Sequence, residues 1–415
     1  MKTENGKLKK YKLGEYIDSF GDGIHGTPNY DEKGEYYFIN GNNLKDGQLN
    51  ITEDTLKISS NEYSKIKRRL IPNNTILVSI NGTLGNVALY KSENIALGKS
   101  ACYLNLKDSS FRFFLRYLLK TKEFKNYMNR VAGQSTIKNV SPTQISEYEF
   151  FAPPLESQQK IAAVLSALDD KIALNNRINA KLEQMAKRLY DYWFVQFDFP
   201  NADGKPYKSN GGKMVWNEEL KREIPEGWEV GNLYDIAEYV NGLACQNYRP
   251  KESEKSLPVI KIREMNEGIT ADTEKVSASI PGKYRIYAGD ILFSWSASLE
   301  IKIWTGETGG LNQHIFKVIP KGYFSKGYVY QQLSAYLVNF QKMAESRKTT
   351  MGHITSDHIK QSRILIPLKE IISAFNEKTF SIFNYQLSIE KETQKLTALR
   401  DRLLPLLMNG QVVVE

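Results

Sequence analysis

The sequence predicts a mixed α+β protein: two copies of one globular plan, joined by two long antiparallel coiled-coil helices and related by an approximate two-fold. Three observations predict it. At 415 residues the chain is too long for one ordinary core and fits two domains with residues to spare. Displacing the sequence by about half its length brings an ordered series of features into register. Each copy also ends at a proline, Pro153 or Pro367, which stand 214 residues apart and hand over to a charged segment with a residue of the seam every seven positions.

The first globular domain is predicted at residues 1–154. It opens with Leu13-Gly-Glu-Tyr-Ile and carries Thr75-Ile-Leu-Val-Ser-Ile, a short apolar run rich in β-branched residues that reads as a buried strand. Near its end comes Gln134-Ser-Thr-Ile-Lys-Asn-Val-Ser, then Phe151-Ala-Pro-Pro. A helix is predicted over 155–195, because Ile161, Leu168, Asn175, Leu182 and Leu189 recur in heptads, with Val164, Leu165, Ile172, Ile178 and Met185 widening the stripe. Asn175 inside that seam suits a coiled coil, where one buried Asn sets register at some cost in stability. Residues 196–228 show no periodicity, contain Asn201-Ala-Asp-Gly and Ser209-Asn-Gly-Gly, and read as a connector.

The second domain is predicted at 229–367 and repeats the series. Leu233-Tyr-Asp-Ile-Ala-Glu-Tyr opens it, Asp290-Ile-Leu-Phe-Ser-Trp supplies the buried strand, and Lys348-Thr-Thr-Met-Gly-His-Ile-Thr precedes Leu365-Ile-Pro. A last helix follows over 368–410, with Leu368, Phe375, Ile382, Ile389, Leu396 and Leu403 in its seam, each from Phe375 on lying 214 after its counterpart. Chain order dictates that paired seams run antiparallel. A 40-residue helix is about 60 Å long. The competing reading is a pair of amphipathic helices, each packed on its own domain.

Composition excludes several functional classes. With 41% hydrophobic and 25% charged residues the chain is no disordered tail. No apolar run is long enough to span a membrane, and the start, Met1-Lys-Thr-Glu-Asn-Gly, has no apolar signal core, so a cytoplasmic protein is expected. Cys102 and Cys245 lack a CxxC partner, and four histidines (His25, His314, His353, His358) are poor material for a metal centre. No phosphate-loop or dinucleotide-turn motif occurs, and Gly23-Ile-His-Gly26 and Gly82-Thr-Leu-Gly85 read as turn glycines. The tetrad of amino-methyltransferases is missing, and no carboxylate set of a metal-dependent nuclease can be identified. His353 and His358, around Asp357, read as exposed or capping residues.

What remains is basic and polar material at matched places. The net charge is +9, and both halves contribute: residues 1–154 hold 22 basic against 16 acidic side chains, residues 226–367 hold 17 against 15. An excess spread this way suits a face that touches a polyanion, and also a bland basic surface. In the first half the candidates are Lys65, Lys67, Arg68 and Arg69, then Ser79, Asn81 and Thr83 after the buried strand, then Gln134, Ser135, Thr136, Lys138 and Asn139. In the second they are Lys261 and Arg263, Ser294, Ser296 and Ser298, then Asn312, Gln313 and His314, then Arg347, Lys348, Thr349 and Thr350. Such donors and acceptors suit base edges and phosphates, while the alternative for each is a solvated loop or strand edge.

Three stretches carry a family resemblance. Tyr192-Trp-Phe-Val-Gln-Phe-Asp-Phe-Pro, through Gly204-Lys-Pro-Tyr-Lys-Ser to Ile224-Pro-Glu-Gly-Trp228, resembles the central region of the specificity subunits of Type I restriction–modification enzymes. Phe293-Ser-Trp-Ser-Ala-Ser, Trp304-Thr-Gly-Glu and Leu311-Asn-Gln-His-Ile-Phe resemble one of that family's target recognition domains, and Pro153-Pro-Leu-Glu-Ser-Gln-Gln-Lys-Ile is similar to its proline-to-helix junction. At the second junction Leu368-Lys-Glu-Ile departs from the family wording.

The resemblance implies a non-catalytic subunit for bacterial or archaeal phage defence. Its two target recognition domains would read an interrupted site on double-stranded DNA, and its spacer helices would measure the gap. It further implies two modification subunits as partners, carrying S-adenosylmethionine, and two restriction subunits, carrying ATP and Mg. No cofactor and no metal are expected in this chain. The alternatives are a DNA methyltransferase or nuclease with a diverged site in this chain, and a purely structural coiled-coil adaptor.

Overall fold

The computed structural model describes residues 8–45, 47–133, 138–296, 298–346 and 354–414, with the backbone alone described at 344–346. The chain divides into two compact units, 1–172 with 396–415, and 173–395. Each long helix therefore contributes to both units, where the sequence had placed the boundaries at the helix ends.

In the first unit a four-stranded antiparallel sheet has the order Ile17–Asp22, Ala101–Leu106, Thr75–Ser79, Val87–Tyr90. Thr75–Ser79 is buried along its whole length, as its apolar run requires of a central strand. Beside it, Tyr36–Ile39 pairs parallel with Ile95–Leu97 and antiparallel with Lys57–Ile58. Lys9–Lys12 pairs with Glu149–Ala152 just before the prolines. The second unit repeats each piece: the sheet runs Ala237–Asn241, Ile315–Pro320, Ile291–Ser294, Glu300–Ile303, again antiparallel. Ser256–Ile260 pairs parallel with Gly309–Leu311, and Glu229–Gly231 pairs antiparallel with Ile364–Ile366.

The repeat extends to single glycines. An isolated bridge joins Ile24 to Gly98, and another joins Leu243 to Asn312. The residue before each is glycine because the crossing chain is too close for a side chain. A Cβ on Gly23 would stand 2.2 Å from the Gly98 carbonyl oxygen, and one on Gly242 would stand 2.0 Å from that of Asn312. Gly23 is therefore a close-approach glycine rather than the turn residue its spacing to Gly26 suggested.

The central helix spans Leu155–Tyr190 and continues as one wide turn over Asp191–Val195. It starts just after Pro153-Pro154, with Gln158 Nε2 donating to the Pro153 carbonyl, Glu156 in the first turn, and Lys187 and Arg188 in the last, all favourable for the helix dipole. The C-terminal helix spans Lys369–Met408. Leu368 lies before it and is exposed. In the second unit the two segments run antiparallel. Asn175 donates to Glu392 at 2.9 Å, Asn179 to Glu390 at 3.2 Å, and Phe375 packs against Tyr190 and Phe194. Asn175, at 1% exposure, is the buried polar member of the seam.

Burial along the two stripes is uneven. Ile161, Phe375 and Ile389 are buried, whereas Leu168, Leu182, Leu189, Ile382, Leu396 and Leu403 are half-buried. Met185 is 55% exposed, so it does not widen the buried stripe. The seam residue Leu396 is half-buried, so Leu396→Ala should cost about 1–2 kcal/mol, below the about 2–5 kcal/mol of a core leucine. Urea unfolding of the two proteins checks this.

The aperiodic segment after the central helix is more than a connector. Phe197, Phe199, Ile224 and Trp228 lie in the same buried cluster as Tyr190, Phe194 and Phe375. Met214–Asn217 and Arg222–Pro225 form an antiparallel hairpin there. Its aromatic residues follow no helix or strand period because they pack as a cluster, which periodicity does not register.

Candidate nucleic-acid interface

Ser79 and Ser294 close the same turn in the two units. Ser79 Oγ donates to the Thr83 carbonyl at 2.5 Å and accepts from Asn86 N at 2.8 Å. Ser294 Oγ donates to the Ser298 carbonyl and accepts from Glu300 N at 3.0 Å. Both serines have no exposed surface, so neither can reach a ligand, which corrects their place among the candidates. Their task is to hold a loop out from the strand end.

Each loop is tied on both sides in the same way. Ile80 N donates to the Ser100 carbonyl and Val140 N to that of Ile80, at 2.9 Å each; Trp295 N donates to the His314 carbonyl at 3.3 Å and Ile354 N to that of Trp295 at 3.0 Å. In the first unit this presents the exposed Thr83, beside Asn81, whose backbone bridges to Asn139. Lys138 is exposed there, with Nζ on Asn129 Oδ1. Gln134, Ser135 and Thr136 lie outside the described residues, as do Arg347, Lys348, Thr349 and Thr350 in the other copy, and His353.

In the second unit the scaffold gathers a different set. The rings of Trp295 and His314 lie 5.6 Å apart, Trp295 Nε1 donates to Asn241 Oδ1 at 3.2 Å, and Gln313 Nε2 stands 3.3 Å from His314 Nε2. His314 Nδ1 is buried without a hydrogen-bond partner. Trp295 and Asn241 were missed from sequence. The signal available was an aromatic ring inside a run of small polar residues, an arrangement used to stack bases. Asn312 is buried, with Oδ1 accepting from His314 N, and it serves the turn. Ser296 is also buried, and Ser298 is half-buried.

The basic candidates divide by what already holds them. Lys67 and Arg69 are exposed, and Lys65, also exposed, pairs with Glu62 at 3.2 Å. Arg68 is turned inward, its Nε donating to the Asp22 carbonyl at 2.8 Å, and it fastens this segment to the sheet. Lys261 pairs with Glu274 at 2.5 Å and Arg263 with Glu264 at 2.6 Å. The hydrogen bond from Lys261 and its charge hold the Glu274 carboxyl below the usual range. A cation already matched by a carboxylate offers a phosphate less, so these two are weaker candidates than Lys67 and Arg69.

His358 is buried and caps the short helix Ser356–Lys360 through Nδ1, which accepts from Thr355 N at 2.9 Å. Among the described residues no group of three or more His, Cys, Asp or Glu side chains stands together as a metal site would. Among them also, no helix is long and apolar enough to cross a membrane.

The fold and these loops define a class: a duplicated α+β protein that presents differing side chains from one repeated scaffold. The family model for the Type I restriction modification DNA specificity domain matches residues 5–184 and 225–399, and the chain belongs to that family. It is 28% identical over 379 residues to the Type I restriction enzyme MjaIX specificity subunit of Methanocaldococcus jannaschii, covering 89% of this chain and 83% of that one. It is also 28% identical over 355 residues to the HindI specificity subunit of Haemophilus influenzae, covering 72% and 77%. Among solved structures it resembles the Type I restriction–modification S subunit from M. genitalium, with a TM-score of 0.60 at 17% identity and 98% of each chain covered, a likeness of fold.

Proposed function

We infer that this chain is the DNA sequence-specificity subunit of a Type I restriction–modification complex, a recognition component with no catalysis and no cofactor of its own. One observation carries the finer reading. The two loop scaffolds match bond for bond, yet Ile80 and Ser100 stand where Trp295 and His314 stand in the other copy. A repeated scaffold with unlike side chains is suited to two unlike half-sites, so the target is bipartite and asymmetric, with a gap whose length the paired helices set. The bases are read in the grooves from Asn81, Thr83, Lys138 and Asn139 in one copy and Asn241, Trp295, Gln313 and His314 in the other, with Lys67 and Arg69 on phosphates.

Two modification subunits, supplying S-adenosylmethionine chemistry, and two restriction subunits, using ATP and Mg, complete the assembly. Support for docking comes from apolar side chains left open on the long helices of the second unit: Met185 at 55%, Phe380 at 60% and Tyr385 at 53% exposure. The methyltransferase or nuclease alternative finds no support in a family of specificity domains. Methylation profiling of a genome carrying this chain with its partners tests the reading. Two different short tracts at one fixed separation are expected; a single continuous tract, or a palindrome, would overturn it.

Trp295→Ala provides a local check. It should weaken binding about tenfold, the lower range for losing one stacked or bidentate contact, and relax selectivity in only one tract. Filter binding to duplexes altered in either tract reads this out.

A further inference from the structure

A cavity of about 340 Å³ opens in the second unit between the end of the central helix, the hairpin and the long helix Lys326–Ser346, at the small end of the range for ligand pockets. Its walls are aromatic: Tyr190, Phe194, Trp228 and Tyr328 line it. Its lining also includes the amides of Gln332 and Asn339 and the guanidinium groups of Arg222 and Arg363. Trp228 is 5% exposed, and its Nε1–H is buried without an acceptor, an expensive state for a donor. Gln332 Oε1 already accepts from the Tyr190 hydroxyl at 2.7 Å, while the Tyr328 hydroxyl lies 3.2 Å from the Leu365 carbonyl, so Gln332 has its Nε2 hydrogens to offer a guest. Burial pushes both phenols up in pKa, so they stay protonated.

The cationic groups are unequal. Arg363 is neutralised by Glu219. Arg222 lies 5.3 Å over the Phe197 ring and makes no ion pair among the described residues. An aromatic slot with a buried N–H, an amide and one uncommitted guanidinium suits an anionic acceptor attached to an apolar body. We propose that this cavity binds an apolar or aromatic group bearing a carboxylate, which Arg222 and Gln332 take at the mouth while its body lies against Trp228. Such a carboxylate comes either from a small organic acid or from the C-terminus of a polypeptide ending in an apolar residue.

The test uses the full chain, titrated calorimetrically with 3-phenylpropionate, 3-phenylpropanol and 3-phenylpropylamine, three probes of one shape. The acid should bind with a dissociation constant on the order of 1 mM, as expected for a ligand of this size, and the alcohol about tenfold more weakly. The amine should not bind. Arg222→Gln, an exposed change that leaves folding intact, should weaken the acid about tenfold, with Arg222→Lys in between, while Trp228→Phe, which keeps the aromatic wall, should leave the preference for acid over alcohol unchanged. A peptide ending in Phe and its amide separate the sources: tighter binding of the peptide acid than of 3-phenylpropionate assigns a polypeptide terminus, and the reverse a free acid. Equal binding of all three probes, no binding of either acid, or no effect of Arg222→Gln overturns the proposal.

Discussion

Phe375→Ala is expected to destabilise the second unit by about 3–5 kcal/mol, the range for emptying a fully buried aromatic site. Phe375 has no exposed surface, and its ring centroid lies 5.0 Å from that of Phe194, 5.7 Å from Trp193 and 6.4 Å from Tyr190. These four residues lock the C-terminal helix against the end of the central helix, so the cavity would open at the point where both enter the core. The readout is selective. All five tryptophans (Trp193, Trp216, Trp228, Trp295, Trp304) lie in the second unit, and tryptophan fluorescence therefore reports that unit alone. Urea should shift this transition to lower concentration, while Phe380→Ala, at 60% exposure, should move it by less than about 0.5 kcal/mol. Equal midpoints for Phe375→Ala and wild type would mean that the aromatic cluster is not what secures the helix.

The first unit depends on a different device, and Asp169→Ala should cost it about 3 kcal/mol. Asp169 Oδ2 accepts from Arg116 Nη2 at 2.8 Å and from the Tyr117 hydroxyl at 2.7 Å, while Oδ1 accepts from Arg400 Nη1 at 2.9 Å. The carboxylate thus joins a domain helix, Arg112–Leu118, to both long helices. The Arg116 side chain is only 8% exposed, and without Asp169 it is left as a buried charge, which is the costly part of breaking such a pair. Hydrogen exchange at residues 112–118 should accelerate while tryptophan fluorescence keeps its midpoint. Replacing Asp169 with Leu and Arg116 with Met together should recover much of the loss, since an apolar pair of similar volume removes the desolvation cost from both sides.

The same cluster sets a pH dependence. Burial raises the Asp169 pKa, but the hydrogen bonds from Tyr117 and Arg400, with the charges of Arg116 and Arg400, outweigh it and hold the carboxyl below its usual value. A carboxyl depressed in the folded state contributes its stability in full above the unfolded value of about 3.9, and loses it as pH falls through the folded one. Wild type and Asp169→Ala should therefore differ most near neutrality and converge in acid. A constant gap down to pH 2 would exclude the cluster as its source.

Much of the architecture was legible in the sequence because it rests on local pattern. The runs Thr75–Ser79 and Ile291–Ser294 are apolar enough to be buried wherever they fall, and they are the inner strands of the two sheets. The prolines at 153 and 367 mark where each domain gives way to a helix, and the heptad positions brought out Phe375, Ile389 and the buried Asn175. The half-length displacement that aligned these features is a property of residue order alone. It corresponds to sheets of the same strand order in the two units.

What a polar side chain does was settled only by the fold. Ser79 and Ser294 resemble ligand donors on paper, yet each has both lone pair and hydroxyl hydrogen committed to turn atoms four to seven residues away. Arg68 sits among solvent-facing cations but finds the Asp22 carbonyl, 46 residues back. Trp295 meets Asn241 across 54 residues, and Asp169 meets Arg400 across 231. Periodicity tells which face of an element is apolar, because burial of apolar area has no preferred direction and depends only on side. A hydrogen bond or ion pair needs a particular partner at about 3 Å, and that partner is chosen by chain segments far away in sequence. The repeat, the strands and the helices were therefore determined by residue order, and the assignment of each polar residue to scaffold or to surface by tertiary structure.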